Sequence, residues 1–271
     1  MAHVCGIYTG IFSWNKTCMP RRKSPLSILI LGIGDFFSKY YFHSSFVIML
    51  DGKPVFVDCP DPLPMMLRSA SQKSGVSLGL SDIDHVILTH LHGDHANGLE
   101  SLGFYSRFFR HKKPNIYTIP EVRRAIWENR LKSSMGPFTN NEFERVGEMK
   151  LEDFFRLRML HAGRTQSISG MKIKIRYTKH FIPCFGFKVF YKGCSFGYSS
   201  DTTFDPAHID FLADCDMILH ETNKGGHTEY EKLLGLPPAL RKKMMLIHIY
   251  DDFNIGRSEI PVADEGRVYF I

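Results

Sequence analysis

Seven consecutive residues, Thr89-His90-Leu91-His92-Gly93-Asp94-His95, constrain this chain more than any other stretch. Three imidazoles and a carboxylate fall close together, directly after the apolar residues Val86, Ile87 and Leu88. The apolar run predicts a buried strand that ends at Thr89. In extended backbone, residues two apart point the same way, so His90 and His92 can face one point. Gly93 is expected to permit a tight turn. Asp94 and His95 then project toward a second, neighbouring point. Imidazole and carboxylate ligands suit zinc, and also manganese or iron. A single histidine on a surface loop is ordinary; four ligand-type side chains around a glycine, after a buried strand, are not.

One cluster cannot complete two metal shells, so further ligands are expected at other strand ends. His180 follows a predicted strand over 171–177, Asp201 follows one over 195–199, and His248 ends the apolar run Met244 to Ile247. Each polar residue stands just beyond a hydrophobic segment and could converge on one edge of the fold.

The rest of the chain alternates short strands and helices. Strands are predicted over 27–31, 45–50, 55–58, 86–89, 115–118, 155–160, 171–177, 185–191, 195–199, 217–220, 244–248 and 267–271. Helices are predicted over 62–73, 95–102, 120–131, 206–213, 228–234 and 237–243. Asp51-Gly52 marks a hairpin turn, and 132–152 reads as polar and irregular. Strands interspersed with helices suggest two sheets with helices outside, an α/β sandwich. No repeat or low-complexity linker divides the chain. One domain is therefore expected over 25–271, behind a poorly ordered extension over 1–24 in which Met19 could be the true start.

Composition excludes little more. Hydrophobic residues make up 44% of 271, with 22 Phe, which is enough for a core without disulfides. The six cysteines form no C-x-x-C pair and read as reduced thiols. No apolar run is long enough to span a membrane and no secretory signal is legible, so a cytoplasmic protein without a membrane partner is expected. The net charge of +6 suits an anionic substrate but is too weak to argue nucleic-acid binding.

With these residues identified, the pattern resembles the metallo-β-lactamase superfamily over roughly Ser27 to His248. Asp58, after Val55-Phe56-Val57, resembles the family's buried aspartate that braces the histidine loop. The resemblance implies a four-layer αββα sandwich holding two divalent ions, zinc foremost. His90, His92 and His180 would bind one ion, Asp94, His95 and His248 the other, and Asp201 would bridge them. A hydroxide bridging the ions would be the nucleophile. Later segments select a branch. Lys179 to Phe187 resembles the third-ligand motif of the tRNase Z and phosphodiesterase branch. Ser200-Asp201-Thr202 resembles its Asp-Thr, His220-Glu221-Thr222 its His-Glu-x-Thr, and Gly226-His227-Thr228 its following histidine. This implies a catalytic set of Asp94, His227 and Glu221. His227 would protonate the departing alkoxide, Glu221 would orient it, and His220 would lie in support.

Spacing narrows the substrate. Only 21 positions separate His180 from Asp201. In tRNase Z that interval holds a long arm that grips tRNA, so the resemblance favours a small phosphodiester, a cyclic nucleotide or cyclic phosphate, over nucleic acid. Two alternatives remain open: an RNA-processing endonuclease of the tRNase Z type, and a thioester or lactone hydrolase of the same fold. The loop from Gly34 to Ser45 carries Phe36, Phe37, Tyr40, Tyr41, Phe42 and His43, which could stack a base or join the core. Between His95 and His180 lie 85 positions that contain Arg107, Arg110, His111, Lys112 and Lys113. This interval also contains the irregular piece 132–152, which could form a lid, a homodimer contact or a solvated insertion.

Overall fold

The first three strands, β1 (Leu26–Gly32), β2 (Ser45–Leu50) and β3 (Lys53–Val57), come from near-continuous apolar runs and pair antiparallel. Asp51 and Gly52 close the β2–β3 hairpin with φ of 47° and 83°, as a primed turn requires. The computed structural model describes residues 24–140 and 142–271. The expected extension and the alternative start at Met19 fall on residues 1–23, outside that range.

After the hairpin the chain alternates helix and strand. In order come α1 (Leu63–Ser74), β4 (His85–Ile87), α2 (Gly93–Ala96), α3 (Leu99–Phe104), β5 (Asn115–Thr118), α4 (Pro120–Ile126) and α5 (Lys132–Met135). A small hairpin, β6 (Pro137–Thr139) and β7 (Arg145–Glu148), precedes α6 (Leu151–Phe154) and β8 (Arg156–Met159). β3, β4, β5 and β8 are parallel neighbours. A second antiparallel run follows: β9 (Thr165–Ile168), β10 (Met171–Tyr177), β11 (Phe185–Tyr191) and β12 (Cys194–Tyr198). Then α7 (Pro206–Leu212), β13 (Met217–Glu221), α8 (Tyr230–Leu234), α9 (Pro238–Arg241) and β14 (Met244–Ile247) make β12, β13 and β14 parallel. β15 (Val268–Phe270) returns to the first sheet, which runs β15-β1-β2-β3-β4-β5-β8, while the second runs β14-β13-β12-β11-β10-β9.

The two sheets face each other through aromatic side chains. Phe46 on β2 meets Phe196 and Tyr198 on β12 edge-on, with ring centroids 5.5 and 4.9 Å apart. Losing a ring of this kind from a filled core typically costs about 3–5 kcal/mol. Alternation along β12 turns Gly197 to the opposite face. There Leu212 of α7 and Cys215 pack so closely that a Cβ on Gly197 would lie 3.1 Å from Leu212. α7 thus covers the outer face of the second sheet, while α1 lies against β1. The order is helix, sheet, sheet, helix: the four-layer αββα sandwich.

Both parallel halves bring their carboxyl ends to one edge, the usual place for a site in such sheets. Three strands there end abruptly. Asp58 after β3, Ser200 after β12 and His248 after β14 have φ of 61°, 52° and 60°. Non-glycine residues in this region typically carry about 1–3 kcal/mol of strain and cluster at functional sites.

Several expectations are revised. The helix over 120–131 is regular only to Ile126 and continues as a turn of π-helix from Trp127 to Leu131. The helix expected from His95 begins at Gly93 and breaks before α3. The stretch 132–152 holds the β6–β7 hairpin, and β9 was not foreseen. No helix among the described residues is long and apolar enough to cross a membrane.

Candidate metal centre

Asp58 is buried and accepts three hydrogen bonds: from Thr89 N at 2.8 Å, Thr89 Oγ1 at 2.9 Å and His95 Nδ1 at 2.8 Å. The bond from Nδ1 leaves His95 Nε2 free to face the site. The Thr89 hydroxyl, donating to Asp58, can accept from His90 Nδ1 at 2.9 Å, which frees His90 Nε2 in the same way. One carboxylate and one hydroxyl therefore set the orientation of two imidazoles.

The seven ligands expected from the sequence lie in two groups. His90, His92, His180 and Asp201 each bring one ligand atom to a shared point, as do Asp94, His95, His248 and Asp201. Within each group these atoms lie within 4.8 Å of one another. Asp201 Oδ2 stands 3.6 Å from His90 Nε2 and 3.5 Å from His248 Nε2, and its Oδ1 stands 3.4 Å from His95 Nε2. Asp94 Oδ2 is 3.2 Å from His248 Nε2 and 3.4 Å from His95 Nε2. His180 Nε2 faces His92 Nδ1 at 2.9 Å. Among the described residues, His90 Nε2, His95 Nε2 and Asp201 Oδ1 are buried without a hydrogen-bond partner. Buried polar atoms are normally paired. Several turned toward one point are what a bound cation would satisfy, so the donor set fits divalent metal.

The protein's own charges divide the two groups. Burial pushes His90 well below its ordinary value and His180 down to about 4, so both imidazoles are neutral. Burial also opposes charge on His248, but Asp201, Asp94 and Glu221 outweigh it and raise His248 to about 9. His95 is raised as well, against the same burial, by Asp201, Asp94 and Asp58. Burial penalises charge on Asp94 and Asp201 too, yet the surrounding imidazoles hold both carboxyls well below their usual range.

His227 lies beside this cluster, its ring stacked on His248 at 5.0 Å. Its Nδ1 is 3.1 Å from each oxygen of buried Glu221, and Thr202 N donates to Glu221 Oε1 at 2.6 Å. Burial works against a charged His227, but the Glu221 hydrogen bond and charge prevail and raise its pKa. With Nδ1 engaged by Glu221, Nε2 is the atom that can exchange a proton. His220 is turned elsewhere: its Nδ1 bonds the Glu221 carbonyl oxygen at 2.7 Å, and burial lowers it to about 4.

Exposed aromatic rings approach the cluster from two loops. The Phe36 ring packs at Gly93, where a Cβ would lie 2.8 Å from Cε2, and Phe181, 74% exposed, packs on Gly226 beside His227. Gly93 therefore supplies space for Phe36 and for Asn97, 3.0 Å from the same position, and its backbone is helical rather than a tight turn. The other loop aromatics divide: Phe37 and Tyr40 are exposed, Tyr41 and Phe42 pack on the core. Arg110 and Lys112 pair with Asp84, and Lys113 with the Glu152 carbonyl. The interval from His180 to Asp201 is filled by the β11–β12 hairpin, closed at Lys192-Gly193. Sequence reasoning missed Arg130, which bonds the Leu91 carbonyl inside the histidine loop, and Asn97 beside it. It gave His43 only the base-stacking or core role of its whole loop. That imidazole stacks on Phe36 and lies within electrostatic reach of Asp94, His95 and His248.

The sequence model of the family described as "Anti-Pycsar protein Apyc1" matches residues 26–269. The Anti-Pycsar protein Apyc1 of Saccharibacillus brassicae is 28% identical over 255 residues, covering 90% of this chain and 99% of that protein. A Dictyostelium discoideum protein, cGMP-dependent 3′,5′-cGMP phosphodiesterase A, is 27% identical over 259 residues, covering 88% of this chain and 27% of its own length. Among solved structures, the metallo-β-lactamase fold protein YhfI from Bacillus subtilis superposes with a TM-score of 0.70 at 15% identity, covering 90% of this chain and 99% of that one.

Proposed function

Because the chain belongs to the Anti-Pycsar protein Apyc1 family and has the metallo-β-lactamase fold, we propose that it is a metal-dependent phosphodiesterase that opens the cyclic phosphodiester of a nucleoside 3′,5′-cyclic phosphate. The observation that carries this reading is the Glu221–His227 pair beside the Asp201-centred ligand set. The 3′,5′-cGMP phosphodiesterase named among the relatives supports the substrate class.

His90, His92 and His180 would hold one cation and Asp94, His95 and His248 the other, with Asp201 between them. Zinc is the first choice for this donor set, with manganese or iron as alternatives. Bound there, the two cations supply a water made nucleophilic at neutral pH and positive charge against the phosphoryl oxygens. Water adds to phosphorus, one P–O(ribose) bond breaks, and the departing oxygen takes a proton from His227 Nε2. Glu221 keeps His227 oriented and charged for that transfer. The exposed rings of Phe36 and Phe181 would stack the base. Phosphorus stays diester-linked until the ring opens, and the product is a nucleoside monophosphate.

The substrate class and the buried free thiols Cys59, Cys184 and Cys215, which suit a reducing compartment, support a cytoplasmic enzyme. A homodimer contact would be sought on the β6–β7 hairpin, where Phe138 and Phe143 are exposed. The short β11–β12 hairpin takes up most of the interval where tRNase Z carries its arm, which argues against the tRNA-processing alternative.

Protein loaded with each metal in turn should be offered cyclic mononucleotides, cyclic dinucleotides, precursor tRNA and thioesters, with products separated by chromatography. Conversion of a 3′,5′-cyclic mononucleotide to its monophosphate is the expected result. Turnover of precursor tRNA or of thioesters, without cyclic mononucleotides, would overturn the reading.

A further inference from the structure

Asp58 anchors only half of the histidine loop. Its bonds reach Thr89 at the start and His95 at the end. The middle, Leu91 to Gly93, lies past the last paired residue of β4, Ile87. Arg130 reaches this part. Its Nη1 donates to the Leu91 carbonyl at 2.7 Å and its Nη2 donates to Asn97 Oδ1. Asn97 ends α2 and its amide lies against Gly93. The planar guanidinium thus ties the carbonyl between His90 and His92 to the far end of the loop, a two-point grip that an ammonium cannot reproduce. Arg130 forms no ion pair with a carboxylate among the described residues; the Leu91 carbonyl and the Asn97 amide are its hydrogen-bond partners, and the charge of Asp94 reaches it only at longer range. It stands in the turn of π-helix over 127–131, a distortion that recurs at functional sites.

We propose that Arg130 is a positioning residue for His92, a half-buried ligand, and that it acts mainly on the cation shared by His90, His92 and His180. The inference rests on the two-metal reading above. Asp58 would secure His95 directly and His90 only through the Thr89 hydroxyl, while Arg130 secures the peptide that joins His90 and His92 from outside.

The test is a titration of metal-free protein with Co²⁺, followed by its visible spectrum and by metal analysis, on wild type, Arg130→Ala, Arg130→Gln and Arg130→Lys. Thermal melts of each metal-free variant run alongside. Wild type should take up two equivalents tightly. The Ala and Gln variants should keep one tight equivalent and bind the second about 10–100-fold more weakly, the usual effect of losing a group that supports a metal ligand. The Lys variant should fall between. Melting of the metal-free variants should match wild type. At low metal kcat should fall with KM unmoved, and excess metal should restore it. Equal weakening of both equivalents, no weakening of either, or a lowered metal-free melting point with both equivalents intact would overturn the role of Arg130. A wild type that binds fewer than two equivalents would instead bring down the two-metal reading, and this proposal with it.

Discussion

The two ligand groups share Asp201 and differ in what stands behind them. Asp94, His95 and His248 are buried, with the carboxylates of Asp58 and Glu221 close by. In the other group His92 is half-buried, and His180 sits on a loop next to exposed Phe181. Neutral groups support it: the Thr89 hydroxyl at His90 and the Leu91 carbonyl held by Arg130. A buried group surrounded by acids attracts positive charge before any metal arrives, so its geometry is set by the folded chain. The open group has neutral imidazoles, and its ligand His92 is only half-buried.

Breaking the buried group should have the largest effect. Asp94 is the carboxylate between His95 and His248. Asp94→Ala leaves both imidazoles without it and should abolish turnover while far-ultraviolet circular dichroism is retained. Metal content should drop below two equivalents. Full activity with two equivalents bound would show that the buried group is dispensable. Next in size is His227→Ala, which removes no expected ligand of either set, although its ring stacks on His248. It should lower kcat by about 10²–10⁴-fold, the range of a lost general acid, with two equivalents still bound. A p-nitrophenyl phosphodiester, whose leaving group needs no proton, should lose far less. Equal loss on both substrates would reassign His227 to a structural part.

The buried group was the more legible of the two from sequence, for physical reasons. Asp94 and His95 are contiguous with His90 and His92, and His248 is a polar residue closing an apolar run, so residue type and strand period together locate them. The open group's ligands were legible too, but its support was not. Arg130 acts on a backbone carbonyl, which any residue supplies, and Trp127-Glu128-Asn129-Arg130-Leu131 continues the helical spacing of α4 although it forms a π-turn. Asn97 likewise reads as an ordinary helix end. β9 went unseen because Thr165-Gln166-Ser167 is polar and, among the described residues, pairs only with β10 at the sheet's edge. Gly93 was located correctly, but the reason for glycine there, the seat of the Phe36 ring, depends on a residue 57 positions away.

Asp58 gives a counterpart to Arg130 and a smaller expected effect than loss of a ligand. Asp58→Asn keeps the side chain's shape but weakens its ability to accept from His95 Nδ1 and Thr89 together. Through its direct bond to His95 it should weaken most, by about 10–100-fold, the equivalent that Arg130→Gln leaves tight, and the other less, because it reaches His90 only through the Thr89 hydroxyl. Metal titrations of the two single variants and the double variant would check this. If both singles weaken the same equivalent most, the division between an inner and an outer brace is wrong.

The smallest effect is on pH, and it separates the groups without any mutation. In metal-free protein His248, raised to about 9, and His95, also raised, carry protons at neutral pH, whereas His180, lowered to about 4, and His90 do not. Metal entering the buried group must displace about two protons at pH 7, and metal entering the open group almost none, because only unprotonated imidazoles coordinate. Affinity of the buried group should therefore rise between pH 6 and 9 while that of the open group stays flat, which calorimetry in buffers of different ionisation enthalpy would detect. The same shift acts on stability. A histidine raised from its ordinary 6.5 to about 9 stabilises the metal-free fold fully below 6.5, and that contribution is lost as pH rises through about 9. Metal-free protein should accordingly lose melting temperature over that window. Metal-loaded protein should not, since His248 is then neutral and bound throughout. Equal proton release on filling both groups would erase the electrostatic difference between them and leave depth as the only distinction.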